Sequence, residues 1–578
     1  MARTVGIGHQ DFEQMIQLNC FYIDKTKFIK EWWENQDVVT LITRPRRFGK
    51  TLTMSMLEKF FSVEYAGRED LFQGLAIWQD KSSTREKPLG EDYKYRQLQG
   101  TYPVISLSFA NVKEVNYRHA REKICQLIAS EYARHAFLLE GDYLTEQEKD
   151  TFRRKRFDMG DVDATLAINQ LSEYLYRYYD KKVIILLDEY DTPLQEAYVH
   201  GYWRELVDFT RGLFNATFKT NPCLARAIMT GITRVSKESI FSDLNNLVVV
   251  TSTSETYEDS FGFTEEEVFA ALDEYGMDDK REEVKKWYDG FTFGRCSDIY
   301  NPWSILNYLK TGKFSTYWAN TSSNSLVGGL IREGNKTIKQ DFEKLMQGGT
   351  LRLEIDEQIV YNQLNRKKNA IWSLLLASGY LKVEAAEFVQ ETGQCFYSLT
   401  LTNREVCIMF EGMIRDWFEE ADGNYNDFIK ALLLNDIKAM NYYMNKVALQ
   451  TFSYFDAGKR PSEEEPERFY HGFVLGLMVE LADRYVLTSN RESGFGRYDI
   501  VLEPRKRVNG MESDGIDAII IEFKVQDSEE KELMDTVASA LAQIDRMQYE
   551  AALIQRGIPK ERIRKYGFAF RGKEVLIG

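Results

Sequence analysis

The chain has 578 residues, 44% of them hydrophobic and 28% charged, with 10 prolines and 37 glycines. That ordinary globular composition excludes disorder, collagen and low-complexity scaffolds, and at roughly 100 to 200 residues per domain the length predicts three or four domains. A net charge of −15 works against bulk coating of nucleic acid, although local basic patches leave room for it.

No run approaches the roughly 18 apolar residues of a membrane span, and the start MARTVGIGHQDF lacks the apolar stretch of a signal peptide. The expectation is a cytoplasmic protein that makes no membrane contact. The six cysteines form no CxxC pair and the five histidines are dispersed, so the thiols are expected to be reduced and any metal to be held by oxygen.

In chain order, Val38–Thr43 reads as a short β-branched strand that ends in a basic turn and leads into the amphipathic TLTMSMLEKFFSV, hence strand, loop, helix. Buried-strand runs recur at 104–109, 183–188, 225–231 and 246–252 with helical stretches between them, the pattern of a parallel α/β sheet. Residues 1–312 are expected to form that domain. Asn301 before Pro302 predicts a capped helix start, and Gly312 its stop. Residues 313–457 read as mainly helical, with AIWSLLLASGYLKVE and QCFYSLTLTNREV predicting helix, hairpin and helix in the manner of a winged-helix unit. The charged run 458–468 carries two prolines and is the expected linker at the head of a last domain, 458–578.

The first chemical constellation is Arg44-Pro45-Arg46-Arg47-Phe48-Gly49-Lys50-Thr51, which fits GxxxxGK[ST] except that Arg44 stands at the first glycine. Gly49, Lys50 and Thr51 offer N–H groups at a helix N-terminus, a lysine for terminal phosphates and a hydroxyl for Mg2+. Pro45 removes one N–H, so the cradle must be shaped differently, with Arg46 and Arg47 compensating electrostatically. The run VIILLDEYD then delivers Asp188 for the metal and Glu189 for an attacking water. Thr230 and Arg234, at the end of a further strand, stand where a γ-phosphate would be sensed. Each half taken alone also reads as an ordinary turn or strand end; together, in this order and each after a buried strand, they point to Mg-ATP.

Through YIDKT (22–26), TRPRRFGKT (43–51), LLDEYDTPL (186–194), YDGFTFG (288–294) and YNPWS (300–304), the first 310 residues resemble the AAA-ATPase-like family of bacterial P-loop proteins. The resemblance implies nucleotide binding and a sheet whose extra strand, expected at 104–109, lies between those bearing Lys50 and Asp188. YDGFTFG and YNPWS are expected to be aromatic packing of a helical lid on the sheet.

The second constellation begins with FYHGFVLGLMVELADRY, a helix bearing Glu480, followed by three strands. Asp499 is expected in the second strand, and Glu522-Phe523-Lys524 ends the third, with alternation putting Glu522 and Lys524 on one face. Carboxylates converging from adjacent strands, with Glu480 from the helix, can hold oxygen-coordinated Mg2+ or Mn2+, and Lys524 beside the attacking water completes a phosphodiester-hydrolysis site. The D-x(22)-E-x-K spacing and SNRESGFGRYDIVL (489–502) resemble the PD-(D/E)xK nuclease superfamily, in the form appended to AAA-ATPase-like domains, over about residues 469–578. Tyr498 stands where that superfamily often has a proline, and Gln543 resembles the glutamine some members place beside the active site. The tail from Arg556 to Lys573, with seven basic residues against one glutamate and three interleaved aromatics, reads equally as a docking strip for a phosphate backbone and as a solvated helix with an edge strand.

The expectation is therefore an α/β multi-domain chain: a parallel-sheet P-loop NTPase domain, a helical winged-helix-like middle and an α/β nuclease-like C-terminal domain. ATP binding would gate a metal-dependent nuclease acting on DNA or RNA. The rivals are an ATP-dependent nucleic-acid or protein binding switch with an inactive nuclease fold, and an ATP-driven motor that docks through that fold. P-loop ATPases often form rings, so a homo-oligomer is compatible with the sequence, which nevertheless shows no unambiguous arginine finger.

Overall fold

The computed structural model describes the chain apart from residues 1, 80–92, 235–240, 242–243, 320–324, 333–335, 356–368, 392, 420–423, 452–473, 475–477, 479–480, 482–483, 490–491, 494–495, 498, 506, 509–510, 513–515, 528–529 and 572–573. Two compact units emerge: Met1–Leu326 with Thr350–Val406, and Val327–Gly349 with Cys407–Gly578.

In the first unit, β1 (Val39–Thr43), β2 (Val104–Ser108), β3 (Val183–Asp188), β4 (Leu224–Gly231) and β5 (Leu247–Val250) form a wholly parallel sheet in the order β2-β3-β4-β1-β5. β1 and β3 are buried at every position, as strands covered on both faces must be. The strand between those bearing the P-loop and Asp188 is β4, which corrects the expectation of 104–109. β2 lies at the edge, and its burial fades toward Ser108 as one flank meets solvent. Hydrophobic runs mark strands but carry nothing about lateral order. Trp32, Phe60, Phe61, Ile184 and Ile228 share the core on one side of this sheet.

Two smaller sheets complete this unit. β6 (Phe263–Thr264), β7 (Phe291–Phe293) and β8 (Cys296–Tyr300) form a small sheet, and the helix Pro302–Thr311 follows with Asn301 accepting from the Trp303 and Ser304 amides and Gly312 closing it, as expected. β9 (Leu351–Glu354), β10 (Leu381–Val389) and β11 (Gln394–Leu401) make an antiparallel sheet in the order β10-β11-β9. The helix Ala370–Ala377 precedes the β10–β11 hairpin and Arg404–Glu419 follows it, so the expected succession of helix, hairpin and helix is present, with β9 as a third strand beside β11.

In the second unit, β12 (Tyr485–Ser489), the short pair β13 (Glu492–Ser493) and β14 (Gly496–Arg497), β15 (Ile500–Pro504), and the short pair β16 (Arg507–Val508) and β17 (Met511–Glu512) precede β18 (Ala518–Val525). After the helix Leu533–Met547 come β19 (Ile563–Arg571) and β20 (Glu574–Ile577). The main sheet runs β12-β15-β18-β19-β20, parallel only between β18 and β19, across the helical connection. Ile519, Ile521 and Phe523 point into a core shared with Met440 and Met444, whereas Ala518 and Ile520 face Ile544 and Leu553. At β20, Asn441 and Asn445 each bond both backbone groups of one residue, Ile577 and Val575 respectively, at 2.6–2.9 Å.

Among the described residues no helix is long and apolar enough to cross a membrane.

Candidate functional site

The helix Lys50–Phe61 opens directly after β1, with Gly49 at φ 84° as its N-cap and Arg47 also left-handed at φ 66°. Left-handed residues on either side of one that is not, here Arg47 and Gly49 about Phe48, turn backbone amides to one side, the geometry that receives anions. A cavity of about 400 Å3 lies there, and its lining includes Arg46, Arg47, Gly49, Lys50, Thr51 and Glu189. Its volume falls within the range of small-ligand sites.

Thr51 Oγ1 donates to Asp188 Oδ2 at 2.7 Å, and the Thr230 hydroxyl donates to Asp188 Oδ1. Burial pushes the Asp188 carboxyl up, and these two hydroxyls oppose it. Thr230 also accepts from the Glu189 amide at 3.2 Å, so it holds the acid pair and does not line the cavity. Glu189, at φ 51°, accepts from the Thr192 hydroxyl at 3.0 Å. Lys50 is buried, which lowers its ammonium pKa, and donates to the carbonyls of Arg44 and Pro45 at 2.9 and 2.8 Å. It thereby closes the loop upon itself.

Two assignments look different in three dimensions, and Arg44 shows partners that the sequence did not reveal. Arg44 is fully buried, donates to the carbonyls of Thr43, Thr251 and Tyr257 and lies 4.5 Å over the Phe293 ring, so the residue at the first-glycine position ties the loop to the sheet. Arg234 lines a separate small cavity with Thr43, Thr251 and Ser373. YDGFTFG runs from the last residue of a helix, Tyr288, into the strand Phe291–Phe293, which packs Phe291 and Phe293 on Phe48 at 4.8 and 5.4 Å; from YNPWS, Trp303 reaches the cavity wall under the Arg47 guanidinium at 4.3 Å. Sequence reading passed over Asp191, which is buried and accepts from the amides of Ile232 and Thr233 at 2.9 and 2.8 Å, fastening the end of β4 to the turn after β3. Its signal was the second aspartate of DEYD.

In the second unit, Glu522 is buried and accepts from the Gln543 amide, which also approaches the Tyr549 hydroxyl at 3.4 Å. Asp499, one residue ahead of β15 and not within it, accepts from the Phe523 amide at 2.8 Å. Asp499, Glu522 and Gln543 are thus gathered at the β15–β18 pair, with Lys524 two residues beyond Glu522 on the same face. Glu480 and Tyr498 lie outside the described residues. Tyr549 is the residue missed here: burial, with Glu522 and Asp499 nearby, raises its phenol pKa. The donors are oxygens, as a hard divalent cation requires. Among the described residues, the three carboxylates close enough to share an ion are Glu265, Asp289 and Asp298, none of them lining the P-loop cavity.

The basic tail resolves toward structure. Arg556 pairs with Glu503, Arg562 and Arg564 with Asp517, Lys565 with Asp545 and Glu550, and Arg571 with Glu574, while Tyr566, Phe568 and Phe570 are buried. Those rings cannot stack on bases. The helix Ala370–Ala377 is likewise buried from Ala370 to Leu376 and offers no face to a groove.

Residues 6–241 match the model of the AAA-ATPase-like family, described as a predicted AAA-ATPase, and residues 465–578 match that of the PD-(D/E)XK nuclease superfamily. The chain is also similar to a protein of Azotobacter chroococcum mcd 1, called an uncharacterized protein in the vnfD 5' region. The two are 27% identical over 410 residues, 70% of this chain and 68% of the relative.

Proposed function

With an AAA-ATPase-like domain at residues 6–241 and a PD-(D/E)XK nuclease superfamily domain at 465–578, we propose that this protein binds Mg-ATP at its P-loop and, under control of that nucleotide, hydrolyses phosphodiester bonds in DNA or RNA. The observation that carries the nucleotide half is the Thr51–Asp188 hydrogen bond at the rim of the cavity, since this hydroxyl and carboxylate are the pair that Mg-ATP uses in P-loop proteins. Lys50 would leave its loop carbonyls for the terminal phosphates, Arg46 and Arg47 would neutralise charge, and Glu189 would orient water.

For the nuclease half, Asp499 and Glu522, joined by Glu480 from the sequence, would hold Mg2+ or Mn2+. The bound ion supplies a more acidic water and charge neutralisation at the scissile phosphate. Gln543 fixes the Glu522 carboxylate, and Lys524 would hold the attacking water in line.

The rival reading is an ATP-dependent nucleic-acid or protein binding switch with an inactive nuclease fold, its Lys50 turned inward until nucleotide binds. The test is cleavage of plasmid, single-stranded DNA and RNA with Mg2+ or Mn2+, with and without ATP, in wild type, Lys524→Ala and Lys50→Ala. Cleavage lost in Lys524→Ala, with an ATP effect lost in Lys50→Ala, supports the proposal. No cleavage under any condition leaves the switch.

A further inference from the structure

The P-loop has a second side, facing away from the cavity. There the Arg46 carbonyl accepts from the Trp318 indole at 2.9 Å and from the Asn301 amide at 3.3 Å. Trp318 does not line the cavity; it is buried against Phe291 and Tyr380, at ring separations of 5.4 and 5.6 Å. Gly379 lies so close to Pro45 that a Cβ there would come within 2.8 Å of the proline ring. Loop residues 45, 46 and 48 are therefore all held from this side.

The two donors act on one peptide plane. A trans peptide directs its C=O and the following N–H in opposite senses, and no cis bond is present among the described residues. Holding the Arg46 carbonyl on Trp318 therefore turns the Arg47 amide away from Trp318, on the side where Arg47 lines the cavity. It also holds Arg47 at φ 66°, a conformation that a non-glycine residue leaves readily if unsupported. A peptide flip would withdraw one N–H from a bound phosphate and break the Trp318 bond in the same movement.

The other end of Trp318 is fastened to a different element. Its backbone amide and that of Ala319 donate to Glu405 at 2.6 and 3.3 Å, and the second oxygen of Glu405 accepts from Ser304 at 2.8 Å. Glu405 is buried in the first turn of the helix Arg404–Glu419, along which the chain passes from Val406 in the first unit to Cys407 in the second. A continuous set of bonds thus joins the phosphate-facing loop to the root of the helix that leads into the nuclease-bearing unit.

We propose that Trp318 and Asn301 are positioning residues that preset the Arg47 amide for phosphate, and that Glu405 passes the state of this peptide into the helix Arg404–Glu419. The inference rests on nucleotide binding at the P-loop and assigns its route of regulation. By linkage, whatever steadies the Arg46–Trp318 bond tightens nucleotide, and nucleotide steadies the bond equally.

The test combines Mg-ATP calorimetry with amide hydrogen exchange over residues 404–410 in the full chain, comparing wild type with Trp318→Phe, which keeps a ring and removes the indole N–H. Asn301→Asp is the second variant, because it keeps the helix cap and removes the donor. Expected in wild type is slower exchange over 404–410 on adding ATP. In either variant ATP should bind about 5- to 10-fold more weakly, its effect on exchange should vanish even at saturation, and ATP-free cutting should be unchanged. If wild type binds ATP and both variants keep the exchange response, the relay is overturned while nucleotide binding stands. If wild type gives no isotherm, nucleotide binding falls and the relay with it. Should Trp318→Phe fail to fold, Asn301→Asp decides.

Discussion

Thr51 Oγ1 and Asp188 Oδ2 meet at 2.7 Å although 137 residues separate them, so the first turn of one helix and the last residue of a buried strand share a proton donor. Thr51→Val removes that donor at nearly constant volume and leaves Asp188 with Thr230 as its hydroxyl partner. Mg-ATP affinity should fall about 10- to 100-fold, with thermal stability little altered. Equal calorimetric Kd values for variant and wild type would refute the metal role of this pair.

Gln543 and Glu522 form the corresponding pair in the second unit. Gln543→Ala should reduce metal-dependent cleavage about 10- to 100-fold by freeing the Glu522 carboxylate to turn. Tyr549→Phe, one contact further out, should cost less. The rates are read in metal titrations, and a Tyr549→Phe defect larger than that of Gln543→Ala would reverse this order of importance.

Arg44 and Arg47 are separated by two residues and by most of the difference between a core and a surface. Arg44→Ala strands three backbone carbonyls and leaves a cavity beside Phe293, a loss of about 3 kcal/mol or more. Arg47 is exposed, so Arg47→Ala should change stability by less than about 0.5 kcal/mol while weakening ATP binding. Denaturant unfolding and calorimetry on both variants separate the two roles; a stable Arg44→Ala protein would contradict the first.

Glu405 ties proton binding to folding. Burial, the foremost cause, pushes its carboxyl from 4.5 up to about 7 against the hydrogen bonds it accepts. Between those values the folded chain keeps a proton that the unfolded chain has released, so stability falls as pH rises from about 4.5 to 7 and levels off above, by at most about 1.4 kcal/mol per pH unit. Asp289, half-buried beside Asp298 and pushed up to about 7 by desolvation, adds a slope of the same sign. Glu405→Gln should therefore flatten the curve in part. Unfolding midpoints at pH 5, 6, 7 and 8 measure this, and an unchanged slope in Glu405→Gln would remove Glu405 as a contributor.

What sequence made legible is what proximity along the chain encodes. Gly49-Lys50-Thr51 after a β-branched strand, Asp188-Glu189 after another, and Glu522-x-Lys524 on alternating strand positions are each local, and the fold class follows from the same periodicities. What escaped depends on distant partners. Arg44 read only as a departure from the first glycine of the motif, because nothing near it reveals the Thr251 and Tyr257 carbonyls. The basic tail looked available because Asp517 and Glu503 precede it by about 45 to 53 residues. Arg46 and Trp318 are 272 residues apart, and a tryptophan in the irregular segment after Gly312 carries no local mark of that bond.

Asn441 and Asn445, one helical turn apart, match two alternate residues of β20 because a helical turn of 5.4 Å is close to the two-residue repeat of a strand. Their side-chain amides imitate a neighbouring strand and occupy the N–H and C=O groups that β20 would otherwise present outward. That flank of the β12-β15-β18-β19-β20 sheet is thereby closed to strand addition by a second molecule. Self-association by strand pairing along β20 would first have to displace four hydrogen bonds.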